Sequence, residues 1–315
     1  MSKAYMYDPK RLNRTLADLY RAGVQAAAPG PALSGVLDRQ AAEAPKGRVW
    51  IAALGKAARP MAEAALEHLA KRGLAPAGGV VIVPDSGTEP VGDLPVVAGD
   101  HPLPGRASLE AAETLRALAG ETGAGDEVWV LLSGGATSLA GAPVDGVDAG
   151  DLQTLYRSLL NSGLDIAQMN TVRKRFSRWG AGRLAVALHP ARVRTFLISD
   201  VIGDDVAAIG SGPCVADPSR ASEIRELLVA RGLATLLPSG MDRYLRKVEQ
   251  DPALETPKPD HPAFQGAEWH MVAGNRQSLD AIAARAEELG WRPKVLPDPF
   301  SGEAADAGRR LAAML

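Results

Sequence analysis

The stretch EVWVLLSGGATSLAG, residues 127–141, decides the fold. Apart from Glu127 its opening is apolar at successive positions, and the run stops at Ser133-Gly134-Gly135. A short apolar run bounded by glycines reads as a strand buried on both faces, the form strands take in parallel sheets between helix layers. Parallel strands need a crossover, so the glycine turn must lead the chain into helix. A long helical region over 149–188 follows.

The same unit recurs on both sides of this stretch. RVWIAALG (48–55) is a buried strand running into an alanine-rich helix closed by Gly73. GGVVIVP (78–84) and LPVVAG (94–99) are further strands, and SLEAAETLRALAG (108–120) is a helix opened by Ser108. VRTFLIS (193–199) is another strand and SEIRELLVARG (222–232) another helix. At the N-terminus, 8–28 reads as a helix with Asp8 as N-cap and Pro9 in its first turn. The fold class is α/β: a mostly parallel sheet covered by helices on both faces, with a second, incomplete α/β domain.

The expected division is a Rossmann-like or flavodoxin-like domain over 1–248 carrying phosphate-binding loops, then a linker. EQDPALETPKPDHP (249–262), with four prolines and no periodicity, is that linker. Residues 263–315 then begin the second domain, with strands at 268–274 and 293–297 and a helix at 278–290. A last helix runs to Leu315 without a cap, so the chain is expected to continue beyond it.

Composition excludes several partner classes. A net charge of −2 gives no global attraction to nucleic acid or anionic lipid. No apolar run spans a membrane and the N-terminus has no signal-peptide core. The single cysteine, Cys214, rules out an intrachain disulfide and favours a reducing, cytoplasmic setting. Five histidines without close spacing do not indicate zinc.

Ligands of parallel α/β sheets bind beyond the carboxyl ends of the strands. There, Gly55-Lys56 offers amides and an ammonium to an anion, or is only a capping glycine beside a solvated lysine. It is not a Walker A loop, because Trp50 and Ala57 stand where that motif needs glycine and Ser/Thr. Ser133 to Ser138 combine two glycines with three hydroxyls, suited to a phosphate. Residues 170–194 hold seven Arg/Lys and no carboxylate, which reads as a small-anion cluster with Arg173 and Arg175 as bidentate groups. Gly180-x-Gly182-x-x-Ala185 matches a dinucleotide fingerprint formally but follows no strand. Asp200, Asp204 and Asp205 are hard oxygen donors of the kind Mg²⁺ takes, with Asp205 also a helix-cap candidate. His101 and His189, each before a proline, are acid/base candidates.

Seven motifs in order carry a resemblance: GKAARPM (55–61), HPLPGRASLEAA (101–112), LLSGGATSLAGAP (131–143), LDIAQMNTVRKRFS (164–177), LISDVIGDDVAAIGSGPCVADP (197–218), VAGNRQSL (272–279) and SGEA (301–304). The chain resembles the class II glycerate 2-kinases, also labelled hydroxypyruvate reductases. The resemblance implies ATP- and Mg²⁺-dependent phosphorylation of D-glycerate at its 2-hydroxyl, in a cleft between two α/β domains. It implies catalytic roles for Lys56 and Asp200, and Asp200 and Asp204 as metal ligands. Ser133, Gly134, Gly135, Ser138, Asn170, Arg173, Lys174 and Ser211 would bind substrate or phosphate, and Gly274, Asn275 and Glu303 nucleotide, with Arg276 in the same motif. The implied partners are ATP and glycerate or a similar 2-hydroxy acid, without nucleic acid or membrane; a homodimer is compatible.

The chain departs from the family pattern in four ways. Arg175 stands where histidine is usual, Gly180-Ala181-Gly182 replaces lysine-glycine-glycine, and Cys214 replaces threonine. The glycine-rich segment with a further arginine, which follows the GEA helix in the family, is not in this sequence. Two other readings stand beside the kinase: an NAD(P)H-dependent hydroxypyruvate reductase, and a catalytically impaired ligand-binding homologue.

Overall fold

In the computed structural model, residues 9–40, 45, 47–84, 87, 89–297, 299–300 and 302–314 are described. They form two compact units: Ala28–Gly274, and the segments before and after it. Asp8, the expected first cap, and Ser301 of the SGEA motif lie outside the described residues.

The larger unit is built on β1 (Val49–Leu54), β2 (Gly78–Val83), β3 (Val96–Ala98), β4 (Glu127–Leu132), β5 (Arg192–Ile198) and β6 (Glu268–Ala273). All are paired in parallel, in the order β3-β2-β1-β4-β5-β6. This is the Rossmann order, and its switch point lies between β1 and β4. Alternation along β1 explains the two covered faces. Trp50, Ala52 and Leu54 pack with α4 (Arg106–Glu121), α5 (Ala136–Leu139) and α8 (Arg183–Leu188). Val49, Ile51 and Ala53 pack with α2 (Pro29–Arg39) and α3 (Ala58–Lys71). Ile51, Ile82 and Leu131 are fully buried, each stabilising the fold by about 1.5–3 kcal/mol relative to an exposed side chain.

The run expected to be helical over 149–188 is α6 (Ala149–Leu160), α7 (Ile166–Phe176) and α8, broken at Gly163 and again over 177–182. With α9 (Ala221–Ala230) and α10 (Ser239–Gln250), α6 and α7 enclose a separate apolar core around Leu155, Phe176 and Leu245. Ala181 holds φ at +54°, a left-handed conformation that glycine adopts freely and alanine only at about 1–2 kcal/mol.

Three expectations are corrected here. The strand at 268–274 does not open a new sheet: β6 is the sixth strand of this one, held to β5 by Glu268, which pairs with Arg192 and with Arg194 (3.1 Å). The segment 249–262 is not a free linker, because Glu255 pairs with buried Arg175 and buried Thr256 donates to Asp217 at 3.0 Å. Residues 293–297 form no strand.

The smaller unit contains α1 (Pro9–Ala26), α11 (Asn275–Glu288) and α12 (Ala304–Ala312). Gly23 lets α1 approach α11, with Ser278 donating to its carbonyl at 3.0 Å and Arg285 pairing with Asp18 at 2.7 Å. No described helix is long and apolar enough to cross a membrane.

Candidate active site

At the switch point the loops after β1 and β4 are joined through backbone. Lys56 N donates to Gly134 O at 3.0 Å, and Ser133 N to Leu54 O at 2.9 Å. Ser133 Oγ accepts from Ala57 N at 3.0 Å. Gly55 has φ +120°, and a Cβ there would fall 2.5 Å from Ser133 O, so only glycine permits the crossing.

Onto this platform two other chain segments bring titratable groups beside Lys56. Asp200, the second residue after β5, lies over Gly134: a Cβ on that glycine would sit 2.0 Å from Asp200 Oδ2. His101, from the loop after β3, lies over Gly135, where a Cβ would be 3.2 Å from its Cδ2 and 3.4 Å from its Nε2. The same point is 3.5 Å from Lys56 Cε. All three side chains are exposed and none forms an ion pair with another among the described residues. Partial desolvation and the Lys56 charge hold the His101 imidazole below its ordinary pKa, against an opposing pull from Asp200.

Asp204 sits beside Gly274, whose added Cβ would be 3.1 Å from Asp204 Oδ1, and keeps φ at +55°. Among the described residues no group of three His, Cys, Asp or Glu side chains could hold a metal. Asp200 and Asp204 are oxygen donors of the type Mg²⁺ takes, an ion that keeps several waters and needs only one or two carboxylates. Asp205 is spent locally, its Oδ1 accepting from Ala207 N at 2.9 Å.

The other expected groups divide. The hydroxyls of Ser133, Ser138 and Ser211 turn into the fold: Ser133 and Ser138 bond Leu54 O and Gly135 O, and Ser211 bonds Thr137 Oγ1 at 2.9 Å. In that loop Gly134 is buried beneath Asp200, and Gly135 is half-buried beside His101 and Lys56. The basic run is mostly structural, and the absence of acidic partners along its own helix is made good from distant loops. Lys174 pairs with Asp217 at 2.9 Å, and Arg175, 1% exposed, bonds Glu255 and Ser219 O. Arg178 pairs with Glu113 at 2.9 Å, and Arg183 donates to the carbonyls of Lys174, Arg175 and Ser177. Lys174 and Arg175 of the expected anion cluster are thus engaged in internal ion pairs.

Arg173 is different. Its guanidinium lies 4.9 Å from the Tyr156 ring and reaches Asn170 Oδ1 only at 3.5 Å, with no carboxylate paired to it among the described residues; its Nε, like that of Arg175, is buried without a partner. Burial lowers its pKa. His189 precedes β5, at the end of the sheet opposite the switch point, so it does not join the site. Cys214 is buried and its thiol is pushed up to about 12 by burial, which removes it as a nucleophile. Gly274 ends the larger unit. In the smaller unit Asn275 opens α11, Arg276 pairs with Asp280 at 2.8 Å, and Glu303 precedes α12.

Residues 15–246 match a family described as "Domain of unknown function (DUF4147)". The chain is 30% identical over 311 residues to the D-glycerate 2-kinase of Thermotoga maritima, covering 98% of this chain and 70% of that one. It is 35% identical over 270 residues to a protein of Agrobacterium vitis that bears a hydroxypyruvate reductase label, covering 86% of this chain and 59% of the relative. The crystal structure of a Thermotoga maritima glycerate kinase superposes with a TM-score of 0.80 at 30% identity, over 97% of this chain and 69% of that one. The chain belongs to the glycerate 2-kinase family.

Proposed function

We propose that the protein transfers the γ-phosphoryl group of ATP to the 2-hydroxyl of D-glycerate or a closely related 2-hydroxy acid. One observation carries this reading: Lys56, His101 and Asp200, from three different strand ends, meet over the bare backbone of Gly134-Gly135 at the switch point. Phosphoryl transfer asks a protein mainly for positioning and charge stabilisation, and these residues supply both.

The Lys56 ammonium would donate to oxygens of the transferring group or of the substrate carboxylate. Gly134 and Gly135 let the ligand come against main chain. Asn170 and Arg173, with the unpartnered Arg173 Nε, form a second anion point. Asp200 and Asp204 would hold Mg²⁺, which neutralises charge on the phosphates when bound. Gly274, Asn275 and Glu303 are assigned to the nucleotide. The reductase reading has less support, because Gly55-Lys56-Ala57-Ala58-Arg59-Pro60 follows β1 where a dinucleotide site needs its glycine fingerprint.

With full-length protein, ADP release is expected only when D-glycerate and Mg²⁺ are both present. Hydroxypyruvate should cause no loss of nicotinamide absorbance with NADH or NADPH. ADP release indifferent to glycerate, or steady nicotinamide oxidation, would overturn the assignment.

A further inference from the structure

We infer that His101 is the general base of the reaction, taking the proton from the attacking hydroxyl and leaving Asp200 to the metal; this rests on the kinase reading above. The point above Gly135 is bordered at once by His101 Nε2 and by the Lys56 side chain, at 3.4 and 3.5 Å from where a Cβ would stand. Both side chains therefore flank Gly135, and a hydroxyl brought between them would meet an imidazole nitrogen while the adjacent ammonium holds the anionic parts of the reactants. Among the described residues neither ring nitrogen of His101 has a hydrogen-bond partner, and the ring is exposed, so it is free to accept a proton and return it to solvent.

The step balances. The substrate oxygen forms a bond to the γ-phosphorus as the bond from that phosphorus to the β,γ-bridging oxygen breaks. ADP leaves with the electron pair, and the hydroxyl proton moves to Nε2, giving an imidazolium that releases it to water.

The described charged groups around the ring favour the accepting form overall. Partial desolvation and Lys56, from the loop after β1, disfavour the imidazolium, outweighing Asp200 from the end of β5. On its own loop, Asp100 is engaged with Ser108 N at 3.2 Å. The neutral imidazole is therefore the working form near neutral pH, and activity should fall on the acid side as it protonates below its ordinary 6.5.

The test is steady-state kinetics of full-length wild type, His101→Asn and His101→Ala across pH, with circular dichroism to confirm folding. Loss of about 100-fold in kcat is expected, in the range of general-base contributions, with KM for glycerate within about threefold. The acid limb of kcat should vanish in both variants, and added imidazole should restore part of the activity of His101→Ala. Active wild type with His101→Asn within threefold, or with an unchanged acid limb, overturns the inference and leaves the kinase reading standing. Wild type that releases no ADP overturns both. Should His101→Asn not fold, the imidazole response of His101→Ala decides: no response refutes the base role.

Discussion

Replacing Asp217 by alanine is expected to lower the unfolding free energy by about 3–5 kcal/mol, the cost of removing one partner from a buried ion pair. Asp217 is 1% exposed and accepts from Lys174 Nζ at 2.9 Å, Ser219 N at 3.2 Å and Thr256 Oγ1 at 3.0 Å. Arg175 Nη2 lies 3.7 Å away. Without the carboxylate, Lys174 and the buried Arg175 face each other with only Glu255 to offset them. Burial acts to raise the Asp217 pKa, but Lys174, Ser219 and Arg175 together hold it below the ordinary 3.8. The sign follows: this stabilisation is complete above the unfolded-state pKa and is lost as pH falls through the depressed folded value. Urea titrations of wild type and Asp217→Ala should therefore differ most near neutrality and begin to converge only as pH falls below about 4, towards the depressed folded value. A difference under 1 kcal/mol at neutral pH would return Lys174 and Arg175 to the pool of residues free to bind anions.

That cluster shows why part of the site was not legible in the sequence. The run NTVRKRFSRWGAGR displays its charge plainly, and the absence of carboxylates at i,i+4 reads as a free basic face. Its partners come from tertiary structure: Glu255 lies 80 residues from Arg175. Sequence periodicity reports neighbours on one helix and is silent about such pairs. Arg173, two positions before Arg175, differs in its surroundings: its guanidinium lies over the Tyr156 ring and reaches Asn170 Oδ1, with no carboxylate paired to it among the described residues.

The strands were legible because a sheet covered on both faces demands apolar residues at successive positions, and VWIAAL, GGVVIV and EVWVLL meet that demand. EWHMVA does so less clearly. Its pattern marks a strand but not its neighbour, and its docking on β5 is fixed by Arg192 and Arg194 meeting Glu268. Helix α2 is not signalled by the sequence, since Pro-Gly-Pro is usual in turns; here Pro29 opens the helix, where its missing N–H costs nothing. The strand-end rule located Lys56, Gly134-Gly135 and Asp200, whereas His101 was visible only as a histidine before proline. Its place over Gly135 depends on β3 running parallel to β2.

Gly134→Ala is expected to reduce kcat about 10³-fold with little change in stability, and Asp200→Asn to do the same. A carboxylate that holds a phosphate-bridging metal accounts for several kcal/mol of charge stabilisation, and each 1.36 kcal/mol is tenfold in rate. The two substitutions act on one group by different routes. Gly134 is not in the left-handed region, so its backbone accepts alanine, and the atoms in the way belong to the Asp200 carboxylate, 2.0 Å from the new Cβ. Asp200 is exposed at the end of a strand, so its side chain can rotate into solvent and the fold survives. Gly55 makes the contrast, because there the obstruction is the backbone oxygen of Ser133 and φ is +120°. If displacement of Asp200 is the whole effect, the double variant should be no slower than Asp200→Asn alone, a non-additivity that a double-mutant cycle measures directly. Gly134→Ala with kcat within threefold of wild type would show that Asp200 has no work at this position. A double variant slower than wild type by the product of the two single effects would show that the two residues act separately, with Gly134 serving the ligand through its backbone.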